Sequence, residues 1–261
     1  MHSQEEKARS FTRFLEVLDT LRQKCPWDAK QTNESLRPNT IEEVYELSDA
    51  LLSDDTKNIC KELGDVLLHV GFYSKIASEK NQFDIADVCD KLTDKLIFRH
   101  PHIYGDAQAD TPEKVSKNWE EIKLKEKGGN KTVLGGVPKS LPSLIKAFRI
   151  QEKAANVGFD WDKPELVWGK VKEEMTEVEQ EINSMSQNRR EEEFGDMLFA
   201  VVNAARLYGI NPDTALERTN KKFISRFNYI EEAAKKAGKN IKDLSLDEME
   251  NFWNEAKKFE K

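Results

Sequence analysis

IEEVYEL at 41–47 and KELGDVLL at 61–68 return in the second half of the chain as KEEMTEV at 172–178 and EEFGDMLFA at 192–200. Glu43, Glu46, Glu62 and Asp65 recur as Glu174, Glu177, Glu193 and Asp196, each displaced by 131 positions. Four acidic positions in unbroken register mark an internal duplication. Outward from them the match continues with small changes in length. Trp27-Asp28 pairs with Trp161-Asp162, Lys95 and Arg99 with Lys222 and Arg226, and Trp119 and Lys123 with Trp253 and Lys257. Apolar residues recur at helical spacing nearly everywhere, as in Phe11, Phe14, Leu15, Leu18 and Leu21, with no alternating β-branched stretch between them. The expected fold is all-α, two tandem helical bundle units built from one repeated plan.

The pattern places helices near 4–22, 39–53, 56–79, 84–99, 112–127, 142–156, 164–186, 188–208, 212–237 and 245–259. Asp84 and Thr111-Pro112 read as helix starts, His100-Pro101 as a stop, and Gly209 and Gly238 as C-terminal glycine caps. The stretch GGNKTVLGGVPKSLP, Gly128 to Pro142, interrupts the helical pattern with glycine and proline. It sets the expected boundaries: an N-terminal unit at 1–127, a linker at 128–141 and a C-terminal unit at 142–261.

A formal net charge of −7 argues against general binding of nucleic acid, whose phosphates demand a basic face. No apolar run approaches the roughly 20 residues that cross a bilayer, so no membrane association is expected. The opening MHSQEEKARSF has acidic residues and lacks the apolar core of a signal peptide, which predicts a cytoplasmic protein. Cys25, Cys60 and Cys89 are widely spaced and odd in number. They read as small, mostly buried thiols rather than ligands or disulfides.

The acidic positions carry the chemistry. Each half reads E-E-x-x-E, fifteen intervening residues, then E-x-x-D. Carboxylates three apart on a helix are neighbours, so each helix offers a pair, and two such helices packed antiparallel set their pairs face to face. Crowded carboxylates raise one another's pKa unless a cation neutralises them. An all-oxygen set selects a hard cation, Mg²⁺ or Mn²⁺, and the scarcity of histidine argues against zinc. Within the double glutamate, Val167, Val171, Met175, Val178 and Ile182 mark the buried stripe. Glu174 borders it, with Lys170 and Glu177 on the same flank, while Glu173 points away. Glu174 and Glu177 are the expected ligands, Glu173 a weaker candidate, and Glu43 and Glu46 follow by register beside Glu62 and Asp65.

Lys222 and Arg226 lie four apart on NKKFISRF and can face one anion, lysine as a point charge and arginine as a fork for phosphate oxygens. Trp253 and Lys257 repeat that spacing. A lone tryptophan more often closes a core than stacks on a base. His100 and His102 flank Pro101 at a helix end, where a loop role is expected.

CPWDAKQT, IEEVYEL, KELGDVLL, FRHPHIYGD, NVGFDWD and EEFGDMLFA resemble the two-domain MazG nucleoside triphosphate pyrophosphohydrolases over essentially the full length. The resemblance implies an all-α, homodimeric, Mg²⁺-dependent enzyme that cleaves nucleoside triphosphates to the monophosphate and pyrophosphate, with broad base specificity and a house-cleaning role. It implies metal binding by Glu174, Glu177, Glu193 and Asp196, with a second site at Glu43, Glu46, Glu62 and Asp65. It implies nucleotide binding by Lys170, Lys222, Arg226, Trp253 and Lys257, with Glu173, Arg189 and Glu192 as further substrate contacts and the C-terminal unit as the main catalytic one. Glu173 and Glu192 are both open as the group that takes a proton from the attacking water. A Nudix reading fails because Asn188-Arg189 stand where that motif needs Arg-Glu. A di-iron bundle fails for want of Glu-x-x-His. The competing reading is a non-catalytic helical dimer with structural cation sites.

Overall fold

Ser3 opens the first helix by a reciprocal cap: its hydroxyl accepts from the Glu6 amide and the Glu6 carboxylate accepts from the Ser3 amide. Asp84 with Asp87 and Ser245 with Glu248 repeat the device at later helix starts. The computed structural model describes residues 1–106, 111, 114–115, 122, 131–182 and 186–259, and none of these lies in a β-strand. The chain divides into two compact units, Met1–Gln108 and Ala109–Lys261.

The first unit contains α1 (Gln4–Lys24), α2 (Asn33–Leu52), α3 (Thr56–Glu79), α4 (Ile85–Arg99) and the single turn α5 (Pro101–Tyr104). Helices α2 and α3 are joined by a three-residue turn and pack along their length as a hairpin. Leu18 of α1, Leu36 of α2 and Phe72 and Ile76 of α3 form the core. Gly71 lets α1 approach, since a Cβ at that position would lie 2.7 Å from Phe14 and 2.9 Å from Leu18.

The second unit contains α6 (Ser143–Asn156), α7 (Val167–Glu181), α8 (Gln187–Leu207), α9 (Pro212–Lys236) and α10 (Leu246–Ala256). Here α7 and α8 form the hairpin. Val167 and Val171 pack on Ala200 and Ala204, while Ile230, Ala234 and Leu244 make a second core between α9 and α10. Gly209 and Gly238 cap α8 and α9 with φ near +68°, as expected from their positions.

Several expectations are corrected. α2 begins at Asn33, not 39, and carries Pro38 inside it. The cap that Thr32 and Ser35 make at its start holds the first turn, and Pro38 costs only the bond to the Glu34 carbonyl. The 164–186 element divides into a 3₁₀ turn at Pro164–Leu166 and α7. Met175 is 44% exposed, because the buried stripe is narrower than expected and runs through Val167, Val171, Glu174 and Val178. Cys60 and Cys89 are exposed and only Cys25 is partly covered; Cys89 lies beside the inward-facing Val88 and so turns outward. The helix expected at 112–127, with Trp119 and Lys123, falls almost wholly outside the described residues. Among the described residues no helix is long and apolar enough to cross a membrane.

Replacing Gly71 by valine forces β-branched bulk against Phe14 and Leu18. It should lower the stability of the first unit by about 1–3 kcal/mol, the usual cost of overpacking. An unchanged denaturation midpoint would show that α1 does not depend on this close approach.

Candidate functional site

Helices α7 and α8 face their acidic positions towards each other. One oxygen each of Glu174, Glu177 and Glu193 gather so that all three lie within 4.8 Å of one another. Glu174 is only 6% exposed, and Lys170, one turn earlier on α7, compensates it with Nζ 2.7 Å from Glu174 Oε1 and 2.8 Å from Glu173 Oε1. Those two bonds, Glu173 first, hold the Lys170 ammonium above its ordinary pKa. The Glu177 carboxyl is pushed up by loss of solvent and then by repulsion from Glu174 and Glu193. Arg189 lies one turn before Glu193, 3.7 Å from its Oε1. Asp196, the fourth expected ligand, is exposed and is not one of the three clustered carboxylates. Glu173 and Glu192 are exposed as well.

The first unit builds a counterpart from α2 and α3. Glu43, Glu62 and Asp65 meet within the same 4.8 Å, and here it is Glu46 that stays exposed and apart. Glu62 is 2% exposed; its Oε1 accepts from Lys61 Nζ at 2.8 Å while its Oε2 has no partner. Lys61 also reaches Asp65 at 3.5 Å. Glu43 is raised by burial and then by Asp65, Glu46 and Glu62. A buried carboxylate oxygen without a donor, among oxygen ligands only, fits a hard divalent cation. Sequence reading missed the compensating Lys61, although it stands next to Glu62 in KELGD.

A polar network that sequence reading also missed lies one turn further along the first hairpin. Thr40 Oγ1 is 3.0 Å from His69 Nδ1 and 2.5 Å from the Tyr73 hydroxyl, and burial pushes the His69 pKa down. The corresponding positions of the second unit are Val171, Ala200 and Ala204, all buried and apolar.

The expected basic and aromatic residues form another grouping on α9 and α10. The Arg226 guanidinium lies over the Trp253 ring at 5.0 Å, and Phe223 meets the same ring at 5.1 Å in a tilted arrangement. Trp253 also packs against the Ile230–Ala234–Leu244 core, so core closure and contact with a cation coincide in it. Lys222 is exposed on the same helix, and Lys257 Nζ donates to Asn254.

The second unit also holds the NVGFDWD stretch, whose Trp161-Asp162 is the repeat match of Trp27-Asp28. Gly158, with φ +91°, ends α6: its amide donates to Ala155 and the Phe159 amide donates to Ala154. Asp160 then accepts from both terminal nitrogens of Arg206 on α8 and from the Trp161 amide. These bonds fasten the loop beside α8.

The MazG nucleotide pyrophosphohydrolase domain model matches this chain twice, at residues 31–104 and 163–230. The nucleoside triphosphate pyrophosphohydrolase/pyrophosphatase MazG of Thermotoga maritima is 41% identical, with 95% of each chain covered. The nucleoside triphosphate pyrophosphohydrolase of Escherichia coli K12 is 40% identical over 95% of this chain and 97% of its own. Both matched segments cover a carboxylate hairpin and all or most of the helix that follows it, and both relatives align over at least 95% of either chain. The chain belongs to the MazG family and carries that family's domain twice.

Proposed function

We propose that the chain hydrolyses nucleoside triphosphates between the α and β phosphates, releasing the monophosphate and pyrophosphate, with Mg²⁺ as cofactor and Mn²⁺ able to replace it. The observation that carries this reading is the convergence of Glu174, Glu177 and Glu193 beside Lys170 in a family whose curated relatives are named for this activity. Broad base specificity and a house-cleaning role in the nucleotide pool are part of the proposal.

In this scheme Glu174, Glu177, Glu193 and Asp196 would hold the cation. A divalent cation bound there supplies neutralisation of phosphate charge and a water of lowered pKa. Lys222 and Arg226 bind the triphosphate tail, with Trp253 supporting the guanidinium and Lys257 adding charge at the edge of the site. Arg189 and Lys170 fix the orientation of Glu193 and Glu174. An exposed carboxylate outside the cluster, Glu173 or Glu192, accepts the proton of the attacking water. Glu43, Glu46, Glu62 and Asp65 provide a second cation site in the first unit.

A homodimer is part of the proposal. Exposed large apolar side chains lie on both acidic hairpins, Val44, Tyr45 and Leu63 in the first unit and Leu198 in the second, and on α9, Leu216 and Ile224. Each is at least half exposed, and pairing of two copies through these faces would take them out of water.

Phosphorus NMR of the full chain with each nucleoside triphosphate should give pyrophosphate and monophosphate only when Mg²⁺ is present. Glu193→Gln and Asp196→Asn should each reduce kcat by roughly a hundredfold or more, since ligation of a catalytic metal is worth several kcal/mol. Diphosphate with orthophosphate would put the cleavage at the wrong bond, and no product at all would favour a non-catalytic binding dimer. Full turnover in both variants would move the site to the first unit.

The raised carboxyls predict a pH dependence. Glu43 and Glu177 bind protons more tightly in the folded, metal-free chain than unfolded, so their contribution to stability is complete at acid pH and lost as pH rises through their elevated values, above 4.5. Mg²⁺ should relieve that loss and raise Tm more at pH 7.5 than at pH 5. Equal increments at the two pH values would mean that the cation does not bind at these carboxyls.

A further inference from the structure

The two acidic hairpins hold their lysines in different ways. Lys61 Nζ lies 2.8 Å from Glu62 Oε1 and 3.5 Å from Asp65 Oδ2, and both carboxylates belong to the converging set of the first unit. Lys170 Nζ lies 2.7 Å from Glu174 Oε1, inside the set of the second unit, and 2.8 Å from Glu173 Oε1, outside it. The second ammonium is shared between the cluster and an exposed bystander, whereas both carboxylates bonded to the first are cluster members.

The bond between Lys61 and Glu62 is not one that a helix offers freely. Side chains at i and i+4 are neighbours on a helix, and those at i and i+1 point about 100° apart. Asp65 is therefore the natural partner of Lys61, yet the shorter contact runs to Glu62. Glu62 is 2% exposed; Lys61 donates to its Oε1 and nothing donates to its Oε2. A buried carboxylate left without a cation costs more than bending a flexible lysine round the helix.

An ammonium and a divalent ion on the same carboxylate repel each other, so occupation of either cluster by such an ion requires the lysine to withdraw. Lys170 gives up Glu174 and keeps Glu173. Lys61 gives up both of its partners. The first unit does have a double glutamate, Glu42-Glu43, but Asn39 stands where a lysine would have to be to use it.

We propose that Lys61 is a resident counter-cation of the first-unit cluster, in competition with a divalent ion, and that Glu173 is a positioning residue that takes over the Lys170 ammonium when Glu174 is engaged. The second-unit cluster then fills first, and the first-unit cluster only at a higher concentration of the ion. The inference rests on the cation reading above and ranks its two sites. Because the Lys61 side chain is 62% exposed, its ammonium has water to retreat to, so the first cluster binds weakly instead of staying closed.

The test titrates Mn²⁺ into the full chain without nucleotide and reads the bound ion from the loss of the free-ion EPR signal. Two classes of site are expected, differing in affinity by about tenfold, the size of one charge-assisted hydrogen bond. Glu62→Gln should delete the weaker class and Glu193→Gln the stronger. Lys61→Met should tighten the weaker class by about the same factor, while Lys61→Arg, which keeps the charge, leaves it weak. Glu173→Gln should weaken the stronger class, and in a Lys170→Met background the same change should do nothing, which separates action through the lysine from the charge of Glu173 itself. Helical circular dichroism certifies the fold of each variant, and the Glu173 comparison stands even where Lys61→Met does not fold. Equal affinities at the two clusters, a weaker class that Lys61→Met fails to tighten, or a Glu173→Gln effect that persists without Lys170 would overturn the proposal. The two readings can fail separately. Ions bound at both clusters with no response to Lys61 would sink the ranking and spare the cation sites; no bound ion at either cluster would sink both.

Discussion

A carboxylate taken out of water beside other carboxylates must be compensated, and each hairpin meets that demand with one lysine. In the second unit the lysine is Lys170 on the first helix of the pair, and the buried carboxylate is its neighbour Glu174. In the first unit it is Lys61 on the second helix, and the buried carboxylate is the adjacent Glu62. The register positions confirm the exchange: Asn39 stands where Lys170 would fall, and Glu192 where Lys61 would fall. Burial follows the cation in both cases. The helix that carries the lysine is the one whose glutamate can go inside, and the outlying member of each quartet lies on that hairpin's other helix, Glu46 in one unit and Asp196 in the other.

Much of this was legible in the sequence because helical periodicity and acidic spacing are local signals. The 56–79 helix, the Asp84 start and the glycine caps at 209 and 238 depend on a few adjacent residues. The choice of Glu174 over Glu173 followed from the apolar stripe, and burial separates the two side chains as that stripe indicated. What eluded reading was set by tertiary contact. The start of α2 at Asn33 rather than 39 depends on the Thr32–Ser35 cap, which carries the helix through Pro38. Met175 and Cys89 show that apolar character does not decide which flank of a helix finds a partner. The lock between Arg206 and Asp160 has no sequence signature, since it arises between elements distant in the chain.

The two groupings of the second unit have different mechanical supports. The carboxylates stand on a hairpin whose inner face is Val167, Val171, Ala200 and Ala204, small and tightly fitted, so the acidic helices come close. Arg226 and Trp253 stand on α9 and α10, around their own core. Placement of the two groupings on separately packed scaffolds keeps each set rigid without requiring one uninterrupted core.

The inner faces of the two hairpins are chemically unlike. Thr40, His69 and Tyr73 are hydrogen-bonded where Val171, Ala200 and Ala204 are simply packed. Intermediate combinations are penalised: a histidine opposite valine lacks its partner, and a tyrosine in the space of an alanine does not fit. Interconversion of the two trios therefore takes three coordinated changes. A helix pasted from one repeat into the other would bring part of a trio without the rest, so α2 and α7 are not interchangeable parts although their acidic positions share one register.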